Sequence, residues 1–488
     1  MSNPYAKALL GKENEAATWN GDKAFKSTLS KVLDFYSRAG AIRTLSETEK
    51  VRIFTNAFAE DKLLALKALF YLRDVRGGAG ERDTVRIILK HLANTQTEII
   101  RNNLKNVVEF GRYDDLLSLF DTKVEKDVLD LFKAQLSTDM LTKEDESISL
   151  LAKWLPSENA SSKISKNQAI KIRTHLGVDS RTYRKILTKL RARLRVVETD
   201  MSSGKFQNIN YAQVPARASM IYRKSFKKKD EARYTSFQTK VEKGEETIKA
   251  SGIAPYELVY KARNSSEDEK TLDLQWAALP NYFKDGVKAI AMADTSGSMR
   301  QSIGSGTKAE AIDVSIAMAM YMAEKNKGPF EGLFITFSRI PSLHKIQGLT
   351  LKDKYRNIPV IVENTNVLAA FDLLLGVAVK NNISQDDMID VVFVFSDMQF
   401  DANGGREYRS SFEVIKAKYE RHGYQMPKLV FWNLNATAGN SPVTHDEKGT
   451  ALVSGFSAEI FKSVLKGNTP MDQMLEVLNS ARYSSVVI

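Results

Sequence analysis

The hydrophobic positions of the chain follow two different patterns, and the first is helical. In "EKVRIFTNAFAEDKLLALKALFYLRDV", apolar residues such as Phe54, Phe58, Leu69 and Leu72 recur at roughly helical spacing. Glycine-rich breaks such as "RGGAGERD" separate one helical stretch from the next. Helix, short break and helix is the pattern of an α-solenoid, so this pattern predicts a mostly helical first domain over residues 1–270.

The second pattern begins after the polar, turn-rich stretch at residues 262–285. Short apolar runs alternate with helical stretches there, and the runs read "VKAIAMAD", "GLFITFS", "DVVFVFSD", "KLVFWNLN" and "TALVSGF". This alternation predicts a doubly wound parallel sheet. We therefore expect a linker over residues 271–284 and an α/β domain over residues 285–488, with ligands beyond the carboxyl ends of its strands.

Composition narrows the class of protein. The 488 residues include no cysteine, which excludes disulfides, thiolate zinc sites and cysteine nucleophiles. No apolar signal sequence or run of about 18 apolar residues is visible, so we expect a soluble, cytoplasmic, monomeric protein without a membrane partner.

Charge is concentrated in one part of the chain. The net charge is +12, and residues 151–250 alone carry 23 basic and 9 acidic residues. Such a focused basic field favours a polyanionic partner, with nucleic acid as the first candidate, and a solvated helical face is the alternative. Aromatic residues alternate with the basic ones, but the helical spacing of Tyr222 and Phe226 favours a place in the core over a base-stacking role.

One helix in the basic region is strongly patterned, with the sequence "SRTYRKILTKLRARLRVVE". A single apolar stripe is formed by Tyr183, Leu187, Leu190, Leu194 and Val197, and basic residues project from the other side. Ser180 is the predicted N-cap of this helix.

The stretch "AMADTSGSM" places Asp294, Ser296 and Ser298 just after the first predicted strand. Thr365 and Asp397 follow at comparable positions downstream. Five hard oxygen donors converging at one sheet edge predict a Mg²⁺ site.

Two other interpretations of this stretch are weaker. A capped Ser/Gly turn leaves the matched downstream residues unexplained. A serine nucleophile needs a positioned base, and none of the five histidines is placed at a predicted strand end. "TSGSM" also differs from the G-x-S-x-G nucleophile elbow.

These residues carry a resemblance. The motif formed by Asp294, Ser296, Ser298, Thr365 and Asp397 is similar to the metal-ion-dependent adhesion site of von Willebrand factor A domains. The resemblance implies that the two serines and the threonine ligate Mg²⁺ directly and that the aspartates act largely through water. It also implies that a carboxylate from a protein partner completes the coordination shell.

The helical half resembles the TROVE module of Ro-type RNA-binding proteins in "YLRDVRGGAGERD", "EFGRYDDLL" and "YAQVPARASMIYRKSF". The resemblance spans about residues 25–470, and "FSDMQFD" is closer to a sister family of uncharacterised plant, fungal and viral proteins with the same layout. It implies a ring of HEAT-like helices that binds small noncoding or misfolded RNA. The RNA-contacting residues expected on this basis are Lys171, Arg173, His175, Arg181, Arg184, Lys185, Arg191, Arg195, Arg217, Arg223, Lys224, Lys227 and Lys228.

The leading hypothesis is thus a non-enzymatic RNA-binding protein with a Mg²⁺-binding A domain. The principal rival is a protein-interaction scaffold that grips an acidic partner residue through the metal. Metal-promoted hydrolysis is a distant third, because no positioned general base is evident.

Overall fold

The computed structural model describes residues 12–265, 269–283, 286–304, 306–337, 340–358, 366–401 and 410–488. The chain forms two compact units. The first comprises the described parts of Met1–Thr84 and Ser251–Ser484, and the second comprises Val85–Ala250 and Ser485–Ile488. This grouping differs from the predicted division at residues 271–284, which stays a prediction about domains.

Helices dominate the chain before the sheet, as the apolar periodicity predicts. In chain order they are α1 Lys31–Arg38, α2 Glu47–Glu60, α3 Lys62–Arg73, α4 Asp83–Thr95, α5 Thr97–Asn102, α6 Leu104–Phe110, α7 Tyr113–Leu116, α8 Glu125–Leu141, α9 Leu151–Trp154, α10 Lys163–Leu176, α11 Ser180–Arg193, α12 Val197–Ser202, α13 Ala216–Lys229, α14 Glu231–Glu242, α15 Pro255–Arg263 and α16 Lys270–Ala277. A hairpin of β1 Glu15–Ala17 and β2 Lys23–Phe25 precedes them, which the sequence pattern did not predict.

The helix α11 buries Tyr183, Leu187 and Leu190, so the predicted apolar stripe is confirmed for these three residues. The helix ends at Arg193, however, so Leu194 is its C-cap and Val197 belongs to α12. The N-cap of α11 is Asp179 rather than Ser180, because the Asp179 carboxylate accepts a hydrogen bond of 2.6 Å from the Thr182 backbone N–H. A carboxylate at this position also interacts favourably with the positive end of the helix dipole.

The first unit contains a six-stranded sheet with the strand order β5-β4-β3-β6-β7-β8. Its strands are β3 Ala289–Asp294, β4 Leu333–Phe337, β5 Ser342–Lys345, β6 Val391–Ser396, β7 Lys428–Asn433 and β8 Thr450–Ser454. All neighbouring strands are parallel except β5, an antiparallel edge strand that the sequence pattern did not predict. The chain is therefore α-helical followed by mixed α/β, as expected for the fold class.

Helices cover both faces of the sheet. The helices after β3 are α17 Ala311–Lys325, α18 Leu351–Arg356, α19 Val367–Lys380, α20 Ser411–Arg421 and α21 Pro470–Leu478. Val394 packs in one core cluster with Phe371 of α19. On the opposite face, the Ser315 hydroxyl of α17 donates a hydrogen bond of 3.1 Å to the Phe395 carbonyl. Residues Ala311–Ala323 of α17 are all buried, as expected for a helix that is apolar on every side.

The N-terminal segment packs closely on the sheet within the first unit. The Gly40 N–H donates to the Ser454 hydroxyl at 3.0 Å, and a Cβ at Gly40 would lie 2.5 Å from the Ser454 carbonyl oxygen. Only glycine permits this backbone approach. No described helix is both long and apolar enough to cross a membrane.

Candidate functional site

The order of the strands places one edge of the sheet at a topological switch point. The central strand β3 has β4 on one side, and the chain returns to its other side as β6. Ligand sites in open α/β sheets lie beyond the carboxyl ends of the strands at such a point. Asp294 is the last residue of β3, and Asp397 directly follows β6, so the topology brings these two carboxylates to the same crevice.

Asp294 is fully buried and held at both oxygens. Its Oδ1 accepts a hydrogen bond of 2.9 Å from the Ser296 N–H, and its Oδ2 accepts one of 2.5 Å from the Ser396 hydroxyl. Ser296 is buried as well, and its Oγ lies 3.2 Å from the Oγ of the half-buried Ser298. The three residues of the predicted motif are therefore gathered at the end of β3.

Asp397 is buried but only half satisfied. Its Oδ1 accepts a hydrogen bond of 3.1 Å from the Gln399 N–H. Its Oδ2 is buried and has no hydrogen-bond partner among the described residues. A buried, unsatisfied carboxylate oxygen is costly, and a cation is one way to satisfy it.

The electrostatics of the crevice agree with this geometry. Burial raises the pKa of Asp294, and the nearby carboxylate of Asp397 raises it further, while hydrogen bonds from Ser396 and Ser296 act in the opposite direction. Burial likewise raises the pKa of Asp397, and the favourable interaction of its charged form with the Ser298 hydroxyl lowers it in part. Two buried carboxylates so close together favour a positive charge between them.

The donor set fits Mg²⁺, a hard cation that binds carboxylate and hydroxyl oxygens. Thr365, the fifth predicted ligand, lies outside the described residues. Within the described part of the chain, no group of three or more His, Asp or Glu side chains is placed to hold a metal. The crevice is of a different kind, because it combines two carboxylates with the hydroxyls of Ser296 and Ser298.

Two side chains that form hydrogen bonds in this crevice were not predicted from the sequence. Ser396 joins the two acidic loops, because its hydroxyl donates to Asp294 and accepts a hydrogen bond of 3.0 Å from the Met398 N–H. Gln399 holds the backbone after Asp397. The serine could have been found from its position beside Asp294 on an adjacent parallel strand, whereas no local pattern distinguishes the glutamine.

Comparison with known proteins places the chain in a family. It is 32% identical over 510 residues to the uncharacterized protein L728 of Acanthamoeba polyphaga mimivirus, covering 95% of this chain and 87% of the viral protein. The chain belongs to the family of L728. Residues 18–129 and 158–287 match a domain of unknown function, DUF2828, and residues 288–485 match another, DUF7788. The crevice between Asp294 and Asp397 lies in the DUF7788 match.

The predicted RNA-contacting residues, all of which lie in the DUF2828 match, differ in what they contact. Three are already paired with acids. Lys171 contacts Asp121 and Glu125 at 2.5 and 2.8 Å, Arg173 contacts Glu158 at 2.8 Å, and His175 contacts Asp130 at 2.7 Å. The charges of Lys171 and Arg173 are largely compensated within the fold, and the His175 ring is occupied by Asp130, which weakens the case for these three as phosphate contacts.

Two others have structural contacts. Arg191 donates to the carbonyls of Ala152 and Leu155 at 2.9 and 2.7 Å and to the Ser157 hydroxyl at 3.0 Å, so it fastens α9 to α11. Arg223 is buried and donates to the Met220 carbonyl at 2.7 Å. The Arg191 guanidinium therefore serves the packing of two helices, whereas the Arg223 guanidinium hydrogen-bonds within α13.

The remaining predicted residues are exposed, and most of them face solvent without an acidic partner. Arg217 and Lys224 are exposed on α13 and interact with neighbours. The exposed cations without an ion-pair partner among the described residues are Arg181, Arg184, Lys185, Arg195, Lys227 and Lys228. Lys189, which the sequence analysis did not select, is equally exposed on α11.

The aromatic residues of this region form a core. The rings of Tyr211, Phe226, Tyr234 and Phe237 pack together with centroids 4.9–6.3 Å apart, and all four side chains are buried. Tyr222 is partly buried against Phe226. These four rings therefore stabilise the packing of this region, and their burial disfavours base stacking on them.

Proposed function

We propose that this protein is a non-enzymatic RNA-binding protein that contacts RNA through the exposed face of α11. The observation that carries this proposal is a set of cations on one helix that have no ion-pair partner in the described part of the chain. Arg181, Lys185 and Lys189 repeat every fourth residue, and Arg184 lies beside them. The resemblance to TROVE and von Willebrand A proteins supports the same function and a HEAT-like arrangement of the helices.

The charge pattern is unfavourable for the isolated protein. Like charges at i and i+4 destabilise a helix by roughly 0.2–0.5 kcal/mol per pair. Arg181, Lys185 and Lys189 form two such pairs without an acid among the described residues to offset them. Phosphate groups of RNA would remove this repulsion and release their own counterions, so binding would be strongly salt-dependent.

A salt series on a structured RNA with a free 3′ single strand tests this proposal. Replacing Arg181, Arg184 and Lys185 by alanine together is expected to weaken binding and reduce the slope of log K against log salt by about 2 to 3. The control replaces Lys171, Arg173 and His175 of the neighbouring helix α10, each of which already contacts a carboxylate. Equal slopes for the two triple variants, or no binding by the wild-type protein at low salt, would refute the proposal.

A second function is favoured by the unsatisfied oxygen of Asp397. We propose a von Willebrand A-type site in which Asp294, Ser296, Ser298, Thr365 and Asp397 would hold Mg²⁺. Few direct negative charges would leave such an ion electrophilic and able to accept an acidic residue of a protein partner. Ser296 and Ser298 hydrogen-bond to each other rather than to a histidine in the described residues, which disfavours a nucleophilic role.

Two measurements separate these functions. Mg²⁺ binding, followed by calorimetry, is expected in the wild type and lost in Asp294→Ala. Partners are then captured with and without EDTA and with and without RNase. A protein partner lost with EDTA but kept with RNase would support the acidic-partner site, and a failure to bind Mg²⁺ would exclude it.

A further inference from the structure

The loop after β6 is held in a conformation that its residues do not favour by themselves. Met398, between Asp397 and Gln399, is buried and has a φ of 64°. A non-glycine residue in this region is strained and persists only where its surroundings enforce it. The hydrogen bonds of Gln399 provide that enforcement.

The Gln399 side chain is buried, and both ends of its amide are engaged. Its Nε2 donates to Asn440 Oδ1 at 2.8 Å and to the Asp397 carbonyl at 3.3 Å. Its Oε1 accepts a hydrogen bond of 3.0 Å from the Trp19 N–H, which lies between the two strands of the N-terminal hairpin. One side chain therefore connects the hairpin to the backbone of a proposed metal ligand.

Further hydrogen bonds attach the hairpin to the same loop. Asn20 Nδ2 donates to the Gln399 carbonyl at 2.7 Å, and the Thr18 hydroxyl donates to the Phe400 carbonyl at 2.6 Å. Gly21 pairs with Asp401 in an antiparallel bridge. The hairpin thus follows the loop for several residues, and Trp19 is left 66% exposed beside it.

We propose that Gln399 is a positioning residue that couples the hairpin Glu15–Phe25 to the cation site. Cation binding and hairpin docking then stabilise each other. The inference rests on the proposed Mg²⁺ site. The Gln399 N–H fixes Asp397 Oδ1 and leaves Oδ2 for the ion. A cation that fixes Asp397 favours the strained loop, and the same loop presents the acceptors for the hairpin.

Such coupling is reciprocal, because a change at either site alters binding at the other by the same factor. Loss of the hairpin contacts therefore weakens the cation site, although no hairpin residue is proposed to touch the ion. Cation binding in turn favours the docked backbone of Trp19, whose N–H donates to Gln399 and whose residue lines a recess of about 240 Å³ together with Gln399 and Asn440.

Hydrogen exchange of residues 12–26 in the full chain, with and without Mg²⁺, tests the inference. We expect Mg²⁺ to increase protection of the hairpin at least about fivefold in the wild type, a typical size for coupled sites. Gln399→Ala is expected to abolish this increase and to weaken Mg²⁺ binding. Thr18→Val removes the hairpin hydroxyl that donates to the Phe400 carbonyl, which is not a proposed ion ligand, and is expected to weaken Mg²⁺ binding by a similar factor.

Lys26→Ala is the control, because Lys26 is exposed and its ammonium group donates only to the Glu13 carbonyl among the described residues. It should leave both readouts unchanged. If the wild type binds no Mg²⁺, the cation site itself is wrong. If Mg²⁺ binds but hairpin protection stays constant, or Thr18→Val binds Mg²⁺ like the wild type, the coupling is refuted while the site stands.

Discussion

Arg195 offers a test in which stability and RNA affinity are expected to change in opposite directions. The residue follows the C-cap of α11 and has a φ of 47°, a left-handed conformation that favours glycine. The preceding helix α10 ends at Gly177 with a φ of 72°, the residue expected at such a position. Arginine at position 195 therefore carries backbone strain, and its exposed charge is the feature that glycine would lack.

The expected gain in stability follows from this strain. A left-handed conformation costs a residue with a Cβ roughly 1–2 kcal/mol. Glycine avoids this cost but loses about 0.5–1 kcal/mol through its greater freedom in the unfolded chain. Arg195→Gly should therefore stabilise the second unit by about 0.5–1 kcal/mol, which would move its urea midpoint upward by roughly 0.3–0.5 M.

The expected loss of RNA affinity follows from the charge. Removing one phosphate contact reduces the slope of log K against log salt by about 0.7–0.9. Arg195→Lys retains both the charge and the strain, so it should leave both measurements unchanged. Arg195→Ala removes the charge but keeps the strain, so it should lower affinity without raising the urea midpoint.

Urea unfolding and RNA binding by fluorescence anisotropy, measured on the same preparations, decide the outcome. An unchanged or lower midpoint for Arg195→Gly would show that the backbone is not strained. An unchanged salt slope would show that Arg195 does not contact phosphate, and it would limit the RNA surface to α11 itself.

Three further predictions concern packing and pH. Gly40→Ala should destabilise the first unit by roughly 1–3 kcal/mol in urea unfolding, because its Cβ would lie 2.5 Å from the Ser454 carbonyl oxygen. Gly376→Ala is the contrasting variant in α19: its Cβ would meet none of the described atoms within 4 Å, so it should stabilise the unit by roughly 0.5–1 kcal/mol. Arg191→Ala should destabilise the second unit by about 1–3 kcal/mol, because two carbonyls and a hydroxyl lose their donor. The slope of log K for RNA against log salt should stay unchanged, and a changed slope would contradict a purely structural role for Arg191. Burial raises the pKa of Asp22 from 3.8 to about 6, so its contribution to stability is complete below about pH 3.8 and is lost as pH rises through about 6. In urea melts, Asp22→Asn should therefore gain on the wild type between about pH 4 and about pH 6.5 and then level off, and a constant difference across this range would refute the shift.

The sequence by itself determined the local elements and the edge of the sheet at which a ligand would bind. Helical spacing identified the buried stripe of α11, and the five predicted parallel strands were confirmed. Both follow from side-chain periodicity, which neighbouring residues fix. The convergence of Asp294 and Asp397 followed as well, because residues after parallel strands meet at one edge of a sheet.

Only the tertiary structure decided which basic residues are uncompensated and what surrounds the cation site. Lys171 is paired with acids about fifty residues away in the chain, so charge counting could not separate it from the free Lys185. The attachment of Trp19 to Gln399 spans 380 residues. Ion pairs and hydrogen bonds between such distant residues depend on how the helices and strands pack. Local patterns of hydrophobic and charged residues do not predict that packing.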